Sequence, residues 1–272
     1  MRLLTWNLFH GRDHPPDPSL FTRRSLWLRV EERNETHVQV NRPLRTEFAQ
    51  RLASEDWDVA LLQEAPPRWH AELLRATGAT GGAVALTSRN FLGPVRGWLA
   101  DLNPDLIGSD EGGSNQLLAR PPWQVAEVRR MTLARRPERR RLLWARLAAP
   151  GGRAVCVGNV HLSTTPPERI AREALAAADA GVAWAGGAPL VLGGDFNIRP
   201  RRTPEAFERL REDFGLAPPT GPNHIDHLLV RGAEIVEPPR ALAVAWRELP
   251  AGDGRLLRLS DHPAVVARIA AR

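Results

Sequence analysis

The chain has 272 residues, 43% of them hydrophobic and 25% charged, an ordinary globular composition that can build a sizeable core. A single cysteine, Cys156, excludes an intrachain disulfide, and no apolar run is long enough to span a membrane. The formal net charge is +6, yet all 37 basic residues are arginine, and tyrosine is absent. With so much Ala, Gly, Pro and Arg, GC-biased coding explains the basicity as well as a polyanionic partner does.

The opening "MRLLTWNL" reads as a strand, 2–7, and lacks the longer apolar run of a secretory signal, so a cytoplasmic location is expected. Residues 10–40, with the turn "DHPPDP", read as a long loop that overhangs or flanks a site. A helix is expected at 43–55, a strand at 58–63, a helix at 66–77 and a strand at 83–88. Residues 89–115, rich in Gly, Asn and Asp, read as a second long loop. Strands follow at 116–120, 124–132, 141–148 and 153–161. "PPERIAREALAAADAGVAW" has prolines at its start and an alanine-rich interior, giving a helix at 167–184. A strand at 188–194, a helix at 203–214 and strands at 225–230, 241–246 and 263–269 complete the chain. Strands outnumber helices and some neighbours look like hairpins, so the class is α/β with mixed sheets. No repeat or linker divides the chain, and one domain over 1–272 is expected.

Several strands end on polar residues. In "LVLGGDFNIRP", strand alternation puts Asp195 and Asn197 on one side and Phe196 on the other. An Asx turn without chemistry is an equal reading of that pair. "LLTWNLFH" ends a strand on Asn7, and "VALLQE" ends one on Glu64. A carboxylate there suits a hard cation such as Mg²⁺, although Glu64 could also cap a helix. "VCVGNVHLS" puts Asn159 and His161 on one face, a pairing that equally fits a satisfied, half-buried histidine. "NHIDHLLV" starts a strand at Asp226, with His227 facing the opposite side as a structural group. "LSDHPAVVARI" places Asp261 and His262 before the last strand. So many buried polar groups are costly unless something pairs them, and a metal with a phosphate group would.

In order, "TWNL", "LLQE", "GNVHL", "GGDFN", "HIDHLLV" and "SDHP" resemble the endonuclease/exonuclease/phosphatase superfamily from residue 5 to residue 269. The resemblance implies a four-layer, deoxyribonuclease I-like sandwich, two mixed β-sheets face to face with helices outside. It implies hydrolysis of a phosphate ester by metal-activated water, with Mg²⁺ as cofactor and Mn²⁺ as a substitute. Carried over by motif, Glu64, Asn7 and Asp261 form the metal site. Asp195 orients or activates water, Asn197 bonds phosphoryl oxygens, Asp226 pairs with His262, and His161 matches the deoxyribonuclease I-like histidine. "GSNQLLAR" resembles a substrate-binding strand of the family, which would assign Asn115 and Arg120 to the phosphate, although a plain surface arginine is the better reading of Arg120.

The chain departs from the AP endonucleases, which carry a lysine after "QE" and a phosphate-site tyrosine; here Ala65 follows and there is no tyrosine. The run "RRMTLARRPERRR", 129–141, reads as nucleic-acid contact or, slightly better, as a solvated hairpin connection. The expected function is phosphodiester hydrolysis on nucleic acid. The alternatives are a small or lipid-head-group ester and an inactive nucleic-acid-binding member. A monomer without stable membrane association is expected.

Overall fold

Three sets of buried apolar side chains hold the layers together in a computed structural model that describes residues 1–87, 90–108 and 112–270. The strands are β1 (Arg2–Asn7), β2 (Glu32–Arg33), β3 (His37–Gln39), β4 (Val59–Ala65), β5 (Gly81–Leu86), β6 (Ser114–Ala119), β7 (Gln124–Ala134), β8 (Arg140–Ala149), β9 (Arg153–His161), β10 (Leu190–Asp195), β11 (Asp226–Arg231), β12 (Glu234–Ala241), β13 (Glu248–Gly252), β14 (Arg255–Arg258) and β15 (Val265–Ala270). The helices are α1 (Arg23–Leu28), α2 (Arg45–Ser54), α3 (His70–Thr77), α4 (Gly93–Leu102), α5 (Pro104–Ile107), α6 (Pro167–Ala185) and α7 (Pro204–Glu212).

The first sheet runs β12-β15-β1-β4-β6-β5 and the second β11-β10-β9-β8-β7. Both are mixed: β1 pairs parallel with β4, β9 pairs parallel with β10, and every other pair within them is antiparallel. Between the sheets Leu3, Leu61 and Leu117 pack with Leu143, Val157 and Leu228. Alternation sends Leu4, Trp6 and Leu62 to the other face of the first sheet, where Phe48 and Leu52 of α2 and Leu73 of α3 cover them. On the outer face of the second sheet α6 lays down Ile170, Ala174, Ala177 and Ala178, one stripe at helical spacing. The expected layering is what the structure has: helix, sheet, sheet, helix.

The two irregular stretches are more ordered than their composition suggested. Within 10–40, α1, β2 and β3 form, and β2 and β3 join β13 and β14 in a third sheet ordered β13-β14-β3-β2. Within 89–115 lie α4 and α5; Ser88, Arg89 and residues 109–111 fall outside the described residues. The strand expected at 241–246 is displaced: β12 ends at Ala241 and a turn of 3₁₀ helix occupies Val244–Arg247. Its register on β15 shifts twice around Glu237 and Pro238–Pro239, which spoils the alternation a sequence reading relies on.

Arg120 corrects an expectation. Its guanidinium does not face a phosphate site; it donates to the carbonyls of Thr77 (2.8 Å), Glu55 (2.9 Å) and Trp57 (3.1 Å) and stacks 3.8 Å from the Trp57 ring centroid. It closes the unpaired carbonyl end after α2, a place where a cation is favoured. Arg120→Ala should therefore cost roughly 2 kcal/mol of unfolding free energy while KM for any phosphate ester stays at the wild-type value, read by denaturant titration beside steady-state kinetics.

His227 fills the outer core, edge-on to Phe196 (5.5 Å) and Phe207 (5.0 Å). Its Nδ1 accepts from Thr220 N (3.2 Å) and its Nε2 donates to Ile198 O (3.4 Å), so the neutral ring is satisfied. Burial drives its pKa down from 6.5 to about 3. The unfolded chain takes a proton there before the native one does, so this stability is intact above about pH 6.5 and is lost as pH falls towards 3. Between pH 7 and pH 5 the loss should be about 2 kcal/mol. A His227→Gln variant should show a flatter stability profile over that interval in chemical denaturation; equal slopes would assign the acid sensitivity elsewhere.

Candidate active site

The ends of β1, β4, β9 and β10, the start of β11 and the turn before β15 all lie at one rim of the sandwich. There the sequence-predicted Asn7, Glu64, His161, Asp195, Asn197, Asp226, Asp261 and His262 are assembled. The first sheet supplies Asn7 and Glu64; the second supplies His161, Asp195 and Asp226.

Gly193 and Gly194 explain how β10 reaches the rim. A Cβ on Gly194 (φ +132°) would sit 2.0 Å from Val160 O of the adjacent parallel strand, and one on Gly193 would strike Leu228 and Leu61. Both neighbours therefore press closely on the strand that delivers Asp195. The strand stops there, and Asn197 takes a left-handed conformation (φ +53°) with its N–H donating to Asp195 Oδ1 (2.9 Å). The Asp195–Asn197 pairing thus arises from an Asx turn and not from strand alternation. Phe196 is buried in the outer core as expected. Asn197 Nδ2 donates to Leu162 O (3.0 Å).

Glu64 reaches the rim by another device. Pairing of β4 with β6 slips between Leu62 and Ala65, and Glu64 adopts φ +48°. This bulge turns the carboxylate out of the alternation that would have buried it. Asn7 Nδ2 donates to Asp195 Oδ2 (3.1 Å), while its Oδ1 accepts from Phe9 N (2.9 Å). The Asp261–His262 turn is pinned from three sides. Ser260 Oγ donates to Asn7 O (2.7 Å) and accepts from His262 N (3.0 Å), Trp6 Nε1 donates to His262 O (3.1 Å), and Arg247 donates to Asp261 O (2.8 Å).

His262 Nδ1 donates to Asp226 Oδ2 at 2.8 Å. Its Nε2 stands 3.9 Å from both Asp195 Oδ2 and Asp261 Oδ1, beyond hydrogen-bond range. Burial opposes charge on this ring, but Asp226, then Asp195 and Asp261, outweigh it and lift its pKa to about 10. Asp226 thus holds one N–H of His262, and the surrounding carboxylates favour the charged form of its ring. His161 behaves oppositely: burial, then the Arg140, His262 and His10 charges, hold its pKa well below 6.5, so it is neutral. Its Nε2 lies 3.6 Å from both Glu64 Oε1 and Asp195 Oδ2.

The carboxylates are strained in charge. Burial, then Asp195 and Asp261, raise Glu64 to about 7 despite His262. Burial and Asp226 raise Asp195 to about 6 against the pull of His262. Asp226 Oδ1 is buried with no hydrogen-bond partner. An acidic set short of positive charge and of donors fits a divalent cation, and oxygen donors select a hard one. Asp195, Asp226 and His262 do place ligand atoms within 4.8 Å of one another. An imidazolium has no lone pair to give, so with His262 charged that trio is a charge network.

Asn115 stands apart from the expectation. It is fully buried and its amide donates to Arg141 O (2.8 Å), joining the two sheets. Two residues not singled out in the sequence belong to the site. His10 Nε2 is 3.2 Å from Glu64 Oε2, and Arg140 Nη1 is 2.9 Å from His161 Nε2. His10 follows Asn7 by three residues, close enough to have been included; Arg140 was masked by the arginine run around it. The cleft over the site measures about 1290 Å³, and its walls include Glu64, His10, His161, Phe9, Leu86, Phe91, Arg135 and Arg139.

A sequence model described as Endonuclease/Exonuclease/phosphatase family matches residues 4–262. No curated protein matches the chain by sequence. Among solved structures, an endonuclease/exonuclease/phosphatase from Bacteroides vulgatus is similar over 100% of this chain and 98% of that one, with TM-score 0.63 and 17% identity. A functionally unknown conserved protein from Enterococcus faecalis is similar over 100% of both chains (TM-score 0.65, 18% identity). A mannosyl-6-phosphatase from Bacteroides thetaiotaomicron is similar over 99% of both (TM-score 0.65, 14% identity). At such identities these likenesses speak for the fold.

Proposed function

The chain belongs to the endonuclease/exonuclease/phosphatase family, whose members are phosphoric ester hydrolases, and from that membership we propose that it is a divalent-cation-dependent phosphodiesterase. The observation that carries the proposal is the His262 imidazolium, clamped by Asp226 at 2.8 Å, with its second N–H unengaged beside Glu64 and Asp195. Glu64, Asp261 and Asn7 would hold Mg²⁺, or Mn²⁺ in its place. Such an ion, when bound, neutralises charge on the phosphoryl group and makes water a better nucleophile.

The chain's own residues do the rest. His262 donates its Nε2–H to a nonbridging phosphoryl oxygen and stabilises the charge that grows there in the transition state. Asp226 keeps the ring charged and correctly turned. Asp195, fixed by Asn7 and the Asn197 N–H, accepts a hydrogen bond from the attacking water and aims it at phosphorus. Asn197 stands at the mouth of that turn and supplies an amide donor to the phosphoryl group. His161, neutral, accepts from Arg140 through Nε2 and so holds that guanidinium beside the ester without adding charge of its own.

Nucleic acid is the substrate class read from the sequence. A specific observation favours the second class, small or lipid-borne phosphodiesters. Much of the arginine run is already committed: Arg129 pairs with Glu127, Arg130 donates to Val84 O, and Arg139 donates to Thr87 O and Asn90 Oδ1. Leu86, Phe9 and Phe91 also give the cleft apolar walls.

Hydrolysis of bis-p-nitrophenyl phosphate and of supercoiled plasmid, each with Mg²⁺, Mn²⁺ or EDTA, tests both levels. Turnover of the small diester should vanish with EDTA and in Glu64→Ala, and calorimetric Mg²⁺ binding should be lost in the same variant. His262→Ala should lower kcat by roughly 10²–10⁴-fold with unchanged cation affinity and a normal melting curve. Hydrolysis that survives EDTA or the Glu64 substitution would defeat the proposal, and plasmid cleavage would restore nucleic acid as substrate.

A further inference from the structure

Helix α4 is built inside out. It packs inward through its small residues Gly97 and Ala100, and a Cβ on Gly97 would strike the Arg68 side chain. Its large apolar residues face water: Trp98 is 61% exposed, and Phe91, just before the helix, is 76% exposed. Helix α1 does the same with Trp27 (65%) and Leu28 (68%). Apart from Val236 and Val244, every exposed large apolar side chain among the described residues lies within 21–28 or 86–106.

The two stretches are held as one surface. Asn103, between α4 and α5, donates to Leu26 O (2.7 Å), and buried Asn41 donates to Ser25 O (3.0 Å) and to Asn103 Oδ1 (2.8 Å). The surface runs into the cleft, whose wall contains Leu86 and Phe91. Contiguous apolar area of this kind on a soluble fold marks a docking face.

We propose that this face rests on an anionic phospholipid bilayer, with the tryptophan and leucine side chains of α1 and α4 entering the boundary between headgroups and acyl chains. The charge around it is complementary. Arg23 and Arg24 of α1 and Arg29 just after it are exposed, with no carboxylate partner among the described residues, and Arg135 stands exposed on the cleft wall. Arginine beside exposed tryptophan and leucine is the composition of a helix lying in the membrane interface. Among the described residues no helix is long and apolar enough to cross a membrane, and lying on one requires none. A second copy suits the face less well, because a two-fold pairing would bring two arginine-bearing α1 segments into one interface. Single-stranded nucleic acid could stack on Phe21, Trp27, Phe91 and Trp98 but would leave the aliphatic Leu28, Leu92, Val95 and Leu102 in water, which a bilayer covers as well.

Co-sedimentation with phosphatidylcholine vesicles, with and without phosphatidylserine, tests this without any turnover, so an inactive protein leaves it decidable. The wild type should sediment with the phosphatidylserine vesicles and less with phosphatidylcholine alone. Trp27→Ser with Trp98→Ser, and separately Arg23→Glu with Arg24→Glu, should each weaken that binding roughly tenfold or more, with melting curves and soluble-diester hydrolysis unchanged. Failure to sediment with either vesicle, or variants that sediment like wild type, would overturn the proposal. So would analytical ultracentrifugation showing a dimer that the tryptophan substitutions dissolve, or loss of single-stranded DNA binding with vesicle binding retained.

Discussion

The site depends on a layer of buried amides that ties one sheet to the other. Asn159 on β9 donates to the carbonyls of Leu62 (3.0 Å) and Gln116 (2.8 Å) in the opposite sheet, and accepts from Gln63 Nε2 (2.7 Å). Asn115 crosses in the reverse direction to Arg141 O. Apolar packing between sheets is tolerant of sliding, because one leucine substitutes for another as a neighbour. Directional hydrogen bonds in a dry interior are not, because each one lost leaves a buried polar group unpaired. The amides therefore fix which rim residue of the first sheet faces which of the second. Asn7 then meets Asp195, and Glu64 comes within reach of His161.

On that frame, charge is arranged by local backbone exceptions. Regular strands would put alternate residues into the core, and the site's acids would follow. A bulge at Glu64, an Asx turn after Asp195 and a left-handed Ser260 each break the pattern at one residue. Such exceptions cost about 1–3 kcal/mol apiece and persist only where surroundings over-determine them. Here the surroundings are the pressed strands beside Gly193 and Gly194 and the hydrogen bonds that grip the Ser260 turn. The result is a cluster of acids in which Asp226 favours charge on His262, while burial and then Arg140 keep His161 neutral.

The layers and the rim residues were legible because both depend on short-range pattern. Apolar runs that stop abruptly on Asn, Asp, Glu or His announce strand ends, and α6 shows its stripe plainly. What escaped reading depends on contacts made at a distance. The third sheet is built from strands as short as Glu32–Arg33, which carry no periodicity of their own. Helix α4 reads as loop in the sequence because glycine, proline and an outward apolar face contradict the usual helical pattern. Arg120 and Asn115 sit in a segment resembling a substrate strand, yet their side chains serve the helix end and the sheet interface. Arg140 was one arginine among many, and only its burial beside His161 distinguishes it.

The hydrogen bonds that define the rim join very distant parts of the chain. Asn7 and Asp195 are 188 residues apart, and Ser260 and Asn7 are 253 apart. Contacts of that separation form late, once the loop-closure entropy of the intervening chain has been met. An unfinished chain can hold a complete outer core around α6 and still have no rim at all. The acids come together only when β1 and the turn before β15 close against each other.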